Sequence, residues 1–427
     1  MDSNTTKRVV ITGIGPVTSI GIGRDRFWNG LLSGVSSART LPESYRKHYM
    51  PKTAYYVPLP EVSLVDFCLG GPHARIMQPE ARIAVAGTLL ALEDAGYRPL
   101  PSDNKFTAEG FYDACTVIGI GIAGLENAFH SYAAHTAPDG PVNSGNSADR
   151  YRRMIIPMLM PNSAAAWVTI MFGLTGGSCT INASCASGTA AIAEAFLRIS
   201  RGVNQCAICG GVEALVERSG SILRGFDMLG VLTRAPDGKP QPFSAHRSGF
   251  LFAEGGGCIL VLEELSHALE RDARIYAEIV DFADMSEAFN IVRCDPSGNG
   301  MVRLLQRLSA GRAIDYVNTH GTGTELNDAT ERDALCTVFG TGAHQPLLNA
   351  TKGLIGHTLG ASGAIETAVC ALSIVNEEIH GNRCSNPLPG LNLPEDNLKT
   401  AIREALTVSF GFGGHNCGLV LKRYDGK

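Results

Sequence analysis

The stretch Ser178-Cys-Thr-Ile-Asn182-Ala-Ser-Cys185-Ala-Ser-Gly188-Thr-Ala-Ala191 decides the fold. Ser178–Asn182 reads as a strand and Ala186–Ser200 as an Ala-rich helix closed by Gly202, with only small residues at the junction. A second strand, Leu347–Asn349, is followed by Ala361-Ser-Gly363, which opens another Ala-rich helix over Gly363–Val375. The repeated Ala-Ser-Gly entry is one faint internal echo; if it marks a duplication, the halves are 1–266 and 267–427, and a site between them draws residues from both.

Outward from these helices, β-branched runs alternate with amphipathic stretches. Val9–Thr12, Ala114–Ile118, Gln205–Cys209, Ile259–Leu262, Ala277–Val280 and Ile314–Thr319 read as strands, and Glu80–Gly96 as a helix. The last strands bracket Phe410–Gly414. Such alternation predicts an α/β protein with buried, parallel or mixed sheets.

Composition fits a large dry interior. Charged residues are 18% of the 427-residue chain, against a usual value of about 25%, and the hydrophobic set reaches 44%. The net charge of −5 and the lack of a long basic run argue against nucleic acid or an anionic membrane as the main partner. The N-terminus lacks the apolar core of a signal peptide, and the apolar stretch around Ala164–Leu174 is too short to span a bilayer. Twelve scattered cysteines then read as reduced thiols, which predicts a cytoplasmic protein. The 49 glycines gather in bursts such as Gly119–Gly124, Gly255–Gly257 and Gly411–Gly414, read here as shaped loops.

Two motifs carry little. Gly119-Ile-Gly-Ile-Ala-Gly124 matches the dinucleotide spacing, but no strand ending in an acidic residue follows at the required distance, so a tight loop between approaching backbones is the better reading. Cys206-Ala-Ile-Cys209 lies within a strand, without a second pair to complete a metal site.

Cys185 is different. A cysteine at a helix N-terminus meets unpaired amide donors and the positive end of the helix dipole, which predicts a lowered pKa. Tyr316-Val-Asn-Thr-His320-Gly-Thr-Gly-Thr324 places His320 at a strand end, and Lys352-Gly-Leu-Ile-Gly-His357 places a lysine and a histidine in another glycine-rich loop. Cysteine and histidines at such junctions suit nucleophilic thiol chemistry.

With these motifs, and with Val9-Val-Ile-Thr-Gly-Ile-Gly15 and Ser409-Phe-Gly-Phe-Gly-Gly414 at the two ends, the chain resembles a β-ketoacyl-acyl-carrier-protein synthase of the elongating Cys-His-His type, in the thiolase superfamily. The resemblance implies a thiolase-like duplicated five-layer αβαβα sandwich and a dimer pairing central sheets edge to edge. It implies an acyltransferase in which Cys185 accepts the acyl chain and His320 and His357 promote decarboxylation of the malonyl unit. Amides of Cys185 and Phe412 would form the oxyanion hole, with Phe412 also a gate. Lys352, with Glu331 as its acidic partner, would hold the histidine loop. No metal and no cofactor are implied beyond the phosphopantetheine of the acyl carrier protein, which is the expected partner.

Sister families are distinguishable. A thiolase would carry a second cysteine in the last glycine loop, an initiating synthase would have Asn at His357, and a chain-length factor would lack Cys185. Other positions depart from the housekeeping pattern: Val408 for Asn, His415 for Thr, Asn290 for His in the loop near Ser286, and Glu325 for Pro. Ile122, Met158 and Leu159 are expected to line the acyl pocket, the last two replacing bulky aromatics. Together these predict a specialised elongase of a polyketide, polyene or modified fatty-acid pathway, working as a homodimer or with a chain-length-factor-like subunit. Housekeeping elongation and a scaffold without turnover are the alternatives. Arg150, Arg152 and Arg153, with Arg75 and Arg234, are expected to dock the acidic carrier protein.

Overall fold

The computed structural model describes residues 6–63, 67, 73, 76–102, 105–107, 110–136, 154–217 and 219–426. In the first half, five strands form the body of the sheet, with the two-residue strand Gly21–Ile22 paired beside the first: β1 (Val9–Thr18), β2 (Cys115–Gly119), β3 (Ser178–Ile181), β4 (Cys206–Ala214) and β5 (Gly255–Glu264). The second half contributes β6 (Ala277–Ser286), β7 (Tyr316–Asn318), β8 (Leu347–Asn349), β9 (Glu404–Gly411) and β10 (His415–Lys422).

The two sets have one topology. The first runs β3-β2-β4-β5-β1 and the second β8-β7-β9-β10-β6. In each, the outer three strands are parallel and the inner two antiparallel, as Val117↔Cys209 and Leu260↔Cys209 show in the first set and Val317↔Leu406 and Thr407↔Leu419 in the second. A short antiparallel pairing of β1 with β6, through Val9↔Ile279, joins them into one continuous sheet.

Helices supply the other layers. The outer layer over the first set is α1 (Pro79–Asp94) and α2 (Ser163–Phe172), and the central layer includes α3 (Ser187–Ser200). Over the second set lie α4 (Asn299–Ser309) and α5 (Glu325–Phe339), while α6 (Ser362–Asn376) lies beside α3 and touches strands of both halves. Three apolar clusters fill the spaces between these layers. The expected five-layer αβαβα arrangement follows.

The Ala-Ser-Gly repeat has a packing reason. A Cβ on Gly188 would stand 2.9 Å from the Ala364 amide nitrogen, and one on Gly363 would stand 1.9 Å from the Thr189 hydroxyl. The two glycines let α3 and α6 start in contact.

Several strands run further than the sequence suggests. β1 continues through Gly13, Gly15 and Pro16, and Gly255–Gly257 belongs to β5 rather than to a loop. At Gly13 a Cβ would lie 2.1 Å from the Ala91 carbonyl oxygen of α1, so this glycine admits a helix onto the sheet instead of turning the chain. Leu359–Asn376 is long and apolar enough to cross a membrane, unlike the shorter Ala164–Leu174 stretch. It is 89% buried inside the protein as the central helix, where apolar character serves packing.

Candidate active site

Both Ala-Ser-Gly helices begin with a 3₁₀ turn, Ser184–Ala186 before α3 and Leu359–Ala361 before α6. Each turn starts at a non-glycine residue in left-handed conformation, Ser184 at φ +54° and Leu359 at φ +46°. The first turn presents Cys185 and the second follows His357, so the duplicated geometry brings the two together. Cys185 Sγ lies 3.2 Å from His357 Nε2.

His357 is held from behind by Ser362, whose Oγ lies 3.0 Å from Nδ1 and 3.0 Å from the Thr358 hydroxyl. His320, at the end of β7, stands edge-on to His357 with ring centroids 5.5 Å apart. Lys352 is almost wholly buried, and its Nζ donates to the His320 carbonyl oxygen at 2.7 Å and lies 3.4 Å from His320 Nδ1.

The carboxylate paired with Lys352 is Glu366 on α6, not Glu331. Glu331 Oε1 instead accepts the His320 amide at 2.7 Å and Oε2 the Gly321 amide at 2.9 Å, with Asn327 Nδ2 at 3.1 Å from Oε2. It holds the histidine loop through the backbone. Glu366 was readable in principle: it is a lone carboxylate in an otherwise apolar helix stretch, and a buried charge there demands a partner.

Burial dominates the electrostatics. It pushes the Cys185 thiol up, against the opposing Ser184 hydroxyl, the Lys352 charge and the Phe412 amide, while the Glu213 charge adds to the rise. The helix-terminus expectation of a lowered thiol pKa is therefore overturned by desolvation. Both imidazoles sit well below their ordinary value because of burial and then the Lys352 charge, so both are neutral. Burial also lifts Glu331 to about 8 and Glu366 to about 7.

Cys185, His320 and His357 open on a cavity of about 790 Å³ whose wall also includes Phe410, Phe412 and Asn416. The Phe412 amide points at the thiol, and a Cβ on Gly411 would lie 3.3 Å from the Cys185 nitrogen, so the last glycine turn runs against the Cys185 backbone. Asn290 and Arg234 line the same cavity, as do Thr322 and Thr324, whose hydroxyls are 2.9 Å apart.

Ile122, Met158 and Leu159 lie outside that wall. Ile122 packs in the hydrophobic cluster that contains Cys185, whereas Met158 and Leu159 belong to the short helix Ile155–Leu159, with Leu159 against Gly124. Arg75, Arg150, Arg152 and Arg153 fall outside the described residues.

The glycine burst after β2 is a close approach between backbones, since a Cβ on Gly119 would stand 2.3 Å from the Ser187 carbonyl oxygen. Cys206 and Cys209 enter different clusters on opposite faces of β4. Cys206, Glu263 and His267 bring potential ligand atoms together, but Arg271 pairs with Glu263 and already supplies the positive charge there. All eleven described cysteines are unpaired.

The beta-ketoacyl synthase N-terminal domain profile matches residues 6–268 and the C-terminal domain profile residues 276–384. The chain is 34% identical to 3-oxoacyl-[acyl-carrier-protein] synthase 2 of Rhizobium meliloti, over 98% of this chain and 100% of that protein. The Staphylococcus aureus (strain COL) protein of the same name is 33% identical, over 98% and 99% of the two chains. Among solved structures, a beta-ketoacyl synthase from Burkholderia phymatum superposes with a TM-score of 0.83 at 29% identity, covering 98% of this chain and 100% of that one. The ishigamide ketosynthase/chain length factor gives 0.83 at 26%, with the same coverage.

Proposed function

The chain belongs to the beta-ketoacyl synthase family and is an acyltransferase of the 3-oxoacyl-acyl-carrier-protein synthase kind, and we propose that Cys185 is the residue that carries its acyl chain. The observation that carries this reading is the 3.2 Å approach of Cys185 Sγ to His357 Nε2 at a cavity that His320 also lines.

The chemistry then runs in two halves. His357 Nε2 accepts the thiol proton as Cys185 attacks the acyl carrier thioester. The tetrahedral oxyanion faces the amides of Cys185 and Phe412, and collapse expels the carrier's thiol, which regains a proton. A malonyl thioester next enters, its carbonyl oxygen facing His320 and His357, the latter now in the tautomer that carries its proton on Nε2 while the Ser362 hydroxyl donates to Nδ1. Lys352 donates toward His320 Nδ1, which leaves Nε2 carrying the proton and aimed as a donor. Carbon dioxide leaves and the enolate oxygen takes the two imidazole hydrogen bonds. Its carbon attacks the acyl carbonyl, and Cys185 departs from a product two carbons longer. Neutral histidines suit this role, because a donor that carries no charge cannot neutralise the malonyl carboxylate before it leaves. Thioester exchange and decarboxylation are covalent and acid–base steps, which these side chains supply without a metal or redox group.

The partner reading is an acyl carrier protein. Exposed Arg234 and Arg293, with exposed Met228 and Leu229 beside them, rim the cavity and suit an acidic protein with an apolar contact face. Dimer formation has its own support. The outer edge of β8 is covered, Leu348 N–H bonding to Asn392 O at 2.9 Å, whereas β3 pairs only with β2 and keeps a half-exposed outer edge among the described residues. The division into halves at 266 and 267, and a cytoplasmic setting for the reduced thiols, belong to the same proposal.

The departures at Val408, His415, Asn290 and Glu325 favour a specialised polyketide, polyene or modified fatty-acid elongase, since Asn290 and Glu325 both stand in the cavity wall. Acyl carriers varied in length and unsaturation, scored by acylation of Cys185 in intact-mass spectra, test this. Unsaturated or polyketide chains should load best; preference for ordinary saturated medium chains would return the chain to housekeeping elongation.

A further inference from the structure

Glu213 is fully buried on β4 and has no part in the chemistry above. Its Oε2 accepts the Gly121 amide at 3.0 Å and the Gly360 amide at 2.9 Å, and its Oε1 accepts the Ile122 amide at 3.0 Å. Gly121 and Ile122 belong to the loop after β2 in the first half. Gly360 is the middle of the Leu359–Ala361 turn in the second, three residues from His357. One carboxylate thus joins the two halves beside the nucleophile.

The surroundings are built for this contact. A Cβ on Gly121 would stand 2.5 Å from Glu213 Oε2, and one on Gly360 would stand 2.4 Å from the Gly121 nitrogen. Only glycines at both positions allow the two loops to meet over the carboxylate. The turn also needs holding, because Leu359 is kept at φ +46°, a left-handed conformation that a branched side chain adopts only under constraint. Asn182 ties the same loop from its other side, its Nδ2 donating to the Gly121 carbonyl at 2.8 Å.

We propose that Glu213 is a positioning residue, whose carboxylate latches the turn that carries His357 to the Gly121–Ile122 loop and so sets the distance from His357 to Cys185. The inference rests on the assignment of Cys185 and His357 made above. Three amide donors favour the carboxylate, whereas burial and the neighbouring Glu80 oppose it and bring Glu213 to about 8. Once ionised above that value, its charge adds to the burial that already raises the Cys185 thiol, so the latch then works against thiol ionisation while it aligns the base.

That opposition separates positioning from general support of the fold. Glu213→Gln keeps the shape but turns an NH₂ toward one of the three amide donors. The condensation kcat should fall about 10- to 100-fold, as expected for a misplaced catalytic group, with KM for the malonyl carrier little changed. Alkylation of Cys185 by iodoacetamide, measured above pH 8 where the wild-type carboxyl is ionised, should not fall, because the substitution removes that charge from the thiol's surroundings. Gly360→Ala, whose Cβ would stand 2.4 Å from the Gly121 nitrogen and 2.9 Å from Glu213 Oε2, obstructs the same latch while keeping the carboxylate, and should lower kcat with alkylation of Cys185 unchanged. Wild-type kcat in either folded variant, or kcat and alkylation falling together, would overturn the proposal. Intact-mass acylation of the wild-type protein, run in parallel, distinguishes a failed latch from a failed assignment of Cys185.

Discussion

Lys352 Nζ donates to the His320 carbonyl oxygen at 2.7 Å while lying 3.4 Å from the Nδ1 of the same residue, so one ammonium fixes both the backbone and the tautomer of this histidine. Its remaining contact is the ion pair with Glu366, and both partners are almost wholly buried. Removing one partner leaves an uncompensated buried charge, which costs about 3–5 kcal/mol, whereas removing both is often tolerated. Lys352→Met should lower Tm strongly, and Lys352→Met with Glu366→Leu should recover much of that loss without restoring decarboxylation of malonyl carrier. Thermal denaturation with a carbon dioxide release assay checks this; recovered decarboxylation in the double variant would refute the tautomer role.

The thiol gives the pH prediction. Burial holds Cys185 above its ordinary value of 9.0, so the thiolate is a minor species at neutral pH and grows as pH rises. Iodoacetamide alkylation should therefore keep accelerating, about tenfold per unit, through pH 8 and towards 9. A plateau below pH 8 would indicate the low-pKa thiolate that a helix terminus alone suggests.

Ser362 supports His357 through Nδ1 at 3.0 Å, and its hydroxyl can donate or accept, serving either tautomer as the proton moves. Ser362→Ala should lower the rate of Cys185 acylation about tenfold, less than the roughly 10²–10⁴-fold that a positioned base supplies because His357 itself remains, while binding of carrier protein is retained. Ser362→Thr, which keeps the hydroxyl, should retain more activity than Ala; equal loss in the two would assign the effect to packing.

Charge reversal tests the rim. Arg234→Glu should raise KM for the acyl carrier protein and leave kcat near wild type, because docking charge acts on encounter more than on chemistry. The effect should shrink as salt rises. Unchanged KM at low salt would remove Arg234 from the docking surface.

The central crossing of α3 and α6 gives a stability test. A Cβ at Gly363 would meet the Thr189 hydroxyl at 1.9 Å and the Ser409 hydroxyl at 2.9 Å, which already hydrogen-bond to each other at 2.8 Å. Gly363→Ala should destabilise by about 1–3 kcal/mol through overpacking, seen as a lower denaturation midpoint. An unchanged midpoint would mean that the helices can separate freely.

Much of this arrangement was legible in the chain. The two Ala-Ser-Gly entries mark the paired helices because close backbone approach needs glycine, and Cys185, His320 and His357 stand at the strand-to-loop junctions that meet in one cavity, with Lys352 buried behind His320. Glu366 and Glu213 were not found, since nothing local says which distant amine or amides a buried carboxylate will meet. The same limit misdirected Glu331, whose bonds go to the backbone of His320 and Gly321. In sequence the first strand stops at Thr12, short of Gly13, and Gly255–Gly257 reads as a loop, because a glycine admitting a helix onto a strand looks like one that bends the chain. The thiol's pKa was misread for a related reason: the helix terminus is visible in sequence, whereas the desolvation that outweighs it depends on how the chain packs.

Intact-mass spectrometry after incubation with acyl carrier protein loaded with an acyl chain tests the central claim most directly. The wild-type chain should gain the mass of one acyl group on Cys185 and lose it on addition of malonyl carrier protein, while Cys185→Ala should gain nothing. An acyl adduct that persists in Cys185→Ala, or a Cys185 adduct that malonyl carrier never discharges, would contradict the account.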